Sequence, residues 1–296
     1  MVLNRVLSTT TVTGIGLICK AFLKLGFCSS VTVTGLHHLL AALDSKDRRN
    51  GKGLVTVGNH ISVLDDPLAW GILPVRTYLH SHTTRWALGA SDIMFINPVL
   101  SAFFRKGQVL ETFRGKGIYQ PAVDAAIEKL DHGSWVHLFG EGKVNQPPTY
   151  PVIEGVARLP RFKWGTGRII METQHLPTII PMWLTGFDGL MPEPRGFPAF
   201  LPRIFPRKAF SITFGAPVEP TRLENVLSDW RSRVLPRDHL QMKPSDDRRS
   251  IDVPPMGAED AEKEKIRSMI TDLIQREVET LGRTVSGPLL GKSHES

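Results

Sequence analysis

Apolar blocks of strand length alternate with helical patterns through the middle of the chain. Leu54–Val57 is a short, mainly apolar, β-branched run that reads as a buried strand. A helix is predicted near Pro67–Leu73, a strand at Arg85–Leu88 and a short helix near Pro98–Phe104. A strand at Gln108–Glu111 follows. The clearest helix runs from Gln120 to Leu130. Ala122, Val123, Ala126, Ile127 and Leu130 recur at helical spacing, with Pro121 at the start and Gly133 just past the end. Trp135–Phe139 is a strong strand, Trp164–Gln174 a helix and Thr178–Trp183 a strand. Such alternation predicts an α/β fold with a mostly parallel central sheet flanked by helices.

The ends have a different texture. Residues 1–43 carry Arg5, Lys20 and Lys24 and no acidic residue. An acid-poor, Ser/Thr-containing start resembles a mitochondrial presequence. The apolar stretch Ile15–Phe27 is interrupted by both lysines, which makes it too short and too charged for a bilayer span. It suits an amphipathic helix on a membrane surface, and a helix packed on the protein's own core fits the pattern equally. Beyond the sheet pattern, prolines break up a basic, aromatic segment at 192–206, and a strand follows at Ala209–Phe214. Thr221 and Glu224 form a capping box ahead of Leu223, Val226 and Leu227. Residues 236–258 are polar and proline-rich, an exposed loop. A last helix is predicted from Glu259 to Leu281, ending at Gly282. The organisation is therefore a membrane-associating segment over 1–45, a body over 46–235, the loop, and a C-terminal helix and tail over 259–296.

Composition narrows the class. The chain has 296 residues, 41% of them apolar, enough for one large core or two small ones. No run of eighteen residues is continuously apolar, against a polytopic membrane protein. The net charge of +7 calls for an anionic partner: nucleic acid, phosphate ligand or membrane surface. Two cysteines, Cys19 and Cys28, give neither a disulfide framework nor a zinc spacing, so no metal is expected. Dispersed basic residues and the lack of a binding motif argue against nucleic acid.

The candidate chemistry lies in three loops, each after a predicted strand, where α/β sheets collect their ligands. In Val57-Gly-Asn-His-Ile-Ser-Val-Leu-Asp-Asp-Pro67, Asp65 lies five positions after His60, close enough for the carboxylate to fold back on the imidazole. A carboxylate on one ring nitrogen fixes the tautomer and supports the imidazolium once the other nitrogen takes a proton, the arrangement of a general base. An aspartate capping the next helix beside a structural histidine has the same sequence. Arg114, in Phe113-Arg-Gly-Lys-Gly117, suits an oxyanion. Phe139-Gly-Glu-Gly-Lys-Val-Asn145 brings glycines and Glu141 to a third strand end. There is no G-x-S-x-G elbow, Walker loop or H-E-x-x-H motif, and neither cysteine has a histidine near it in the sequence. A base without a protein nucleophile leaves the substrate to supply one, such as a hydroxyl.

Taken together, these blocks resemble the glycerophospholipid acyltransferases. Asn59-His60 with Asp65 matches their H-x₄-D motif and Arg114 their second block. Phe139-Gly140-Glu141-Gly142 is similar to their F-P-E-G block, with glycine for proline at 140, a change expected to loosen that loop. Ile180-Pro181 resembles the fourth. The flanking runs Trp70-Gly-Ile-Leu73, Gly142-Lys-Val-Asn145 and Arg161-Phe-Lys-Trp-Gly-Thr-Gly-Arg168 resemble the tafazzin family within that group. The resemblance implies an acyltransferase domain and a CoA-independent transacylase with no cofactor. It would remodel cardiolipin from phosphatidylcholine and monolysocardiolipin, on mitochondrial inner and outer membranes facing the intermembrane space. His60 and Asp65 would be catalytic. Asn59, Arg114, Gly140, Glu141, Gly142 and Pro181 would bind substrate. Oligomerisation is left open. Phe197, Phe200, Leu201, Arg203, Ile204, Phe205, Arg207 and Lys208 interleave apolar anchors with cations and are expected to contact an anionic membrane surface. The alternatives are an acyl-CoA-dependent acyltransferase and, more remotely, a nonenzymatic membrane scaffold.

Overall fold

The computed structural model describes residues 2–194, 201–234 and 258–292. Phe197 and Phe200 lie outside these, as does the loop expected at 236–258 except for its last residue. Nine strands are described: β1 Cys28–Thr34, β2 Leu54–Gly58, β3 Arg85–Ala90, β4 Val109–Thr112, β5 Trp135–Phe139, β6 Val152–Ile153, β7 Val156–Ala157, β8 Thr178–Thr185 and β9 Lys208–Phe214. The described α-helices are α1 Val2–Lys24, α2 Leu36–Asp44, α3 Asp65–Leu68, α4 Val75–Tyr78, α5 Ser91–Met94, α6 Pro98–Lys106, α7 Pro121–Asp131, α8 Trp164–Met171, α9 Pro220–Val234 and α10 Ala258–Ser286.

Seven strands form one sheet in the order β1-β9-β8-β2-β5-β3-β4, and β6 and β7 make a separate hairpin. Every pair in the large sheet is parallel except β8–β9. The chain is thus α/β with a mostly parallel sheet. Period-two alternation divides each central strand between two cores. Val55, Val57, Val136, Leu138, Ile179 and Trp183 face the core under α7, α8 and α10. Leu54, Trp135, Ile180, Met182 and Leu184 face the other, under α1 and α2. Strands buried on both faces carry the apolar runs that made them legible.

Three expectations need correction. Residues 28–34 form β1, which pairs in parallel with β9, so the first 45 residues contribute a strand to the sheet. The N-terminal helix is longer than its apolar centre, at 23 residues. Its stretch Val6–Lys24 is long and apolar enough, by length and composition, to cross a membrane. One side of it packs on the body: Gly71 approaches so closely that a Cβ there would stand 2.7 Å from the Cys19 carbonyl carbon. The last helix does not stop at Gly282 but runs to Ser286, before Gly287 at φ 74°. Gly282 is accommodated because the Trp183 ring occupies the space its side chain would fill.

Candidate active site

Strands β2 and β5 are neighbours in the middle of the sheet, with Gly58 opposite Phe139. The loops that follow them therefore leave the same edge side by side, which puts His60 next to Glu141. The His60 Nδ1 lies 3.0 Å from Asp65 Oδ2. The same oxygen accepts the backbone N–H groups of Ile61 at 2.7 Å and Ser62 at 2.8 Å. An oxygen holding two backbone donors takes a third from Nδ1–H, which leaves Nε2 as the free base. The imidazole is 19% exposed and Asp65 is fully buried. Phe139 stacks on the imidazole, centroids 4.0 Å apart and planes 15° apart, and so sets the ring's orientation. Burial pushes the Asp65 carboxyl up, against the pull of His60 and the two backbone donors.

Neither aspartate caps a helix. Asp65 clamps its own upstream loop, and Asp66 is paired with Arg85 and accepts the Trp70 indole N–H. Sequence reasoning missed this second, buried ion pair.

Glu141 braces the loop from the other side. Its Oε1 accepts the His60 backbone N–H at 2.9 Å and its Oε2 accepts from Asn145 Nδ2 at 2.7 Å. The Asn145 backbone N–H then donates to the His60 carbonyl at 2.7 Å. Gln146 continues the wrap by donating to the carbonyls of Ile61 and Met191. Both Glu141 oxygens thus have protein donors, and the carboxyl shapes the histidine loop. Asn145 stood out in the sequence only as the end of the run Gly142–Asn145, and Gln146 carried no signal.

Burial pushes the Glu141 carboxyl up to about 8, and nearby Asp65 adds to it. The native state then holds a proton that the unfolded chain releases near its ordinary value of 4.5. Stability from this group is greatest at low pH and falls as pH climbs from about 4.5 to about 8. Melting temperature measured across that range should drop more steeply in the wild type than in Glu141→Gln, whose side chain does not titrate.

The other expected site residues fall in different places. The Asn59 amide accepts from the Leu184 N–H at 2.8 Å and donates to the Leu184 carbonyl at 3.0 Å, extending the β2–β8 pairing. It is 1% exposed and not free for substrate. Pro181 is buried inside β8, opposite Val57 in the register, and so belongs to the sheet and not to the site. Arg114 follows the edge strand β4, three strands from β2, and pairs with Asp92 at 3.2 Å. No contact joins it to the histidine loop among the described residues. Gly142, at φ 69°, makes the turn that closes with its N–H on the Phe139 carbonyl at 3.0 Å. The loop at Gly140 is not loose. The Phe162 ring fills the space of a Cβ at 140, and the Lys163 N–H donates to the Gly140 carbonyl at 2.8 Å.

Beside the dyad lies an apolar cavity of about 440 Å³. Val63 and Leu64 of the histidine loop form one wall, Val12 and Ile15 of α1 another, and Phe103 and Phe104 of α6 a third. The buried Asp66–Arg85 pair also lines it. Among the described residues, no group of three or more His, Cys, Asp or Glu could hold a metal.

Comparison with known proteins agrees with this layout. A family model described as Acyltransferase matches residues 30–185, which include most of β1 and all of β2 to β8. Tafazzin of Drosophila melanogaster is 34% identical over 78% of this chain and 56% of its own length. Tafazzin of Saccharomyces cerevisiae is 34% identical over 70% of this chain and 62% of its own. An N-acylphosphatidylethanolamine synthase of Arabidopsis thaliana is 33% identical over 78% of both chains. The match thus spans about three-fifths of the two tafazzins and more of the plant enzyme. With a histidine held by a buried carboxylate inside a matched domain that covers more than half of the sequence, the chain belongs to the acyltransferase family.

Proposed function

We propose that the protein is a phospholipid transacylase that moves a fatty acyl chain from a phospholipid to a lysophospholipid without CoA, remodelling cardiolipin. The observation that carries this reading is the His60–Asp65 contact beside a cavity with apolar walls. His60 Nε2 takes the proton of the lysolipid hydroxyl, and Asp65 holds the resulting imidazolium. The hydroxyl oxygen attacks the donor ester carbonyl. The tetrahedral intermediate collapses, the donor's glycerol oxygen leaves, and His60 returns the proton to it. Each turnover starts and ends with a neutral imidazole, one ester broken and one formed. The aliphatic chain lies in the cavity between α1 and α6. Arg114 is too far along the sheet to touch the ester and meets the headgroup phosphate instead.

The surface suits a lipid partner. On α1, Leu3, Leu7, Leu17 and Ile18 are exposed, and Ile96 and Val99 stand out beside the α6 wall. Leu201 and Phe205 are exposed in the proline-broken segment, with Arg203 and Arg207, while Lys208 is half-buried at the start of β9. We place the protein as a monotopic enzyme on an anionic leaflet of the mitochondrial membranes, facing the intermembrane space.

The test uses purified protein, acyl-labelled phosphatidylcholine and monolysocardiolipin, with and without CoA and acyl-CoA. Label in cardiolipin without CoA supports the transacylase. Transfer only from acyl-CoA assigns the donor to CoA instead. The plant relative gives a second reading, in which the acceptor is an amine. Label on the nitrogen of phosphatidylethanolamine would establish that one. No transfer under any condition overturns the enzyme reading.

The cavity makes its own prediction. Val12→Trp fills space next to Ile15, so transfer of long acyl chains should fall several-fold while short-chain donors are still used. Equal losses on both, in a competition between donors of different length, would remove the cavity from the acyl path.

A further inference from the structure

The walls of the cavity beside the dyad are mainly aliphatic and aromatic, and one ion pair stands among them. Arg85 Nε donates to Asp66 Oδ1 at 2.6 Å, and its Nη2 donates to Oδ2. The Trp70 indole N–H also donates to Oδ1, and Arg85 Nη1 donates to the Gly107 carbonyl at 3.1 Å. The two side chains are 11% and 12% exposed, so the pair is mostly buried yet open to the cavity it lines. These contacts leave N–H groups of the guanidinium and an acceptor position of Oδ2 unused. Other polar side chains in the wall are engaged with the protein. The Tyr78 hydroxyl donates to the Trp70 carbonyl at 2.7 Å and the Thr84 hydroxyl to Gln108 Oε1 at 3.0 Å.

The sheet register gives the depth of the pair. Arg85 lies opposite Trp135, and Trp135 opposite Leu54, four residues before Gly58 at the entrance to the histidine loop. Strands rise about 3.3 Å per residue, so the arginine backbone stands roughly 13 Å down the sheet from that entrance. Its side chain reaches back to Asp66 at the end of the histidine loop. A long acyl chain with its ester at His60 therefore passes the pair near its middle. The pair is also fixed in place, because Gln108 Nε2 donates to the Arg85 carbonyl at 3.2 Å.

We propose that the Asp66–Arg85 pair determines specificity by selecting acyl chains that carry a hydroxyl near their middle. This rests on the reading of the cavity as the acyl path. Methylene groups laid over the pair take its unused donors and acceptor out of water and offer nothing in return. A hydroxyl at that depth accepts from the guanidinium and donates to Asp66 Oδ2, and both hydrogen bonds involve a charged partner. A site built to bond a hydroxyl discriminates against the analogue that lacks it.

The test is a calorimetric titration of the protein with oleic acid and with ricinoleic acid, its mid-chain hydroxy derivative, both below their micelle concentrations. A purely apolar cavity favours oleic acid, the less water-soluble of the two. The wild type should instead bind ricinoleic acid several-fold more tightly. Asp66→Asn combined with Arg85→Met removes both charges together, so neither is left buried alone, and keeps an acceptor for the Trp70 indole. In that double variant the order should reverse. Equal binding, or tighter binding of oleic acid, by the wild type would overturn the proposal without touching the transacylase reading, and this comparison needs no variant to fold. A preference for ricinoleic acid that survives in the double variant would overturn the role of the pair. Binding of neither acid would remove the cavity from the acyl path and the proposal with it. The titration involves no transfer step, so its answer stands apart from the transfer assay.

Discussion

His60→Ala lowers acyl transfer by about 10²–10⁴-fold, the usual worth of a positioned general base. Only chemistry should suffer. The ring is partly exposed, and its stacking on Phe139 is worth roughly 0.5–1.5 kcal/mol. The two backbone donors remain on Asp65 after the ring is gone. The variant therefore folds, melts within a few degrees of the wild type and binds lipid as before. Initial rates of label transfer under saturating donor, beside a melting curve, check both halves. Transfer at the wild-type rate would remove His60 from the mechanism.

Asp65→Asn should fail twice. The carboxylate oxygen that serves His60 Nδ1 also serves the N–H groups of Ile61 and Ser62. An amide oxygen is a weaker acceptor for these three donors than a carboxylate oxygen. Hydrogen bonds to a charged group are worth about 1.5–3 kcal/mol each, and losing the charge sacrifices at least that much stability. The imidazole also loses its anchor and can adopt the other tautomer. The same substitution in a Ser-His-Asp triad costs about 10⁴-fold for that reason. The expected outcome is a rate near that of His60→Ala together with a clearly lowered melting temperature. A variant with wild-type melting and a normal rate would mean that the contact is incidental.

The two substitutions separate what could be foreseen from what could not. His60 and Asp65 are five residues apart, so their meeting is a local event that a sequence displays. The Glu141 contact depends on β2 lying beside β5 in register, 81 residues away in the chain, and only the sheet shows which atoms it serves. Hence Glu141 was found, but not the contacts its carboxyl makes with the histidine loop and Asn145. Asn59 has the opposite history: its place in the motif suggested a ligand, while its amide turns out to finish a strand. The central strands were legible because burial on both faces makes them mainly apolar, with Thr56 and His137 the buried polar exceptions in β2 and β5. The edge strand β1 was not, since Cys28–Thr34 is largely exposed and rich in Ser and Thr, and its partner β9 begins at residue 208. Gly282 misled because a glycine ends a helix only when no neighbour uses the space it leaves, and here Trp183 does.

The pairing of β1 with β9 also governs the order of assembly. During synthesis the first strand emerges about 170 residues before its partner exists. Closure of so long a loop is slow and comes late. The four strands β2, β5, β3 and β4 can pair meanwhile, since all are made within residues 54–139. Throughout that interval α1, a long apolar helix, precedes a strand with nothing to hold it. Such a helix needs a temporary cover until β9 is made, so the late β1–β9 pairing sets how long the apolar side of α1 must be shielded.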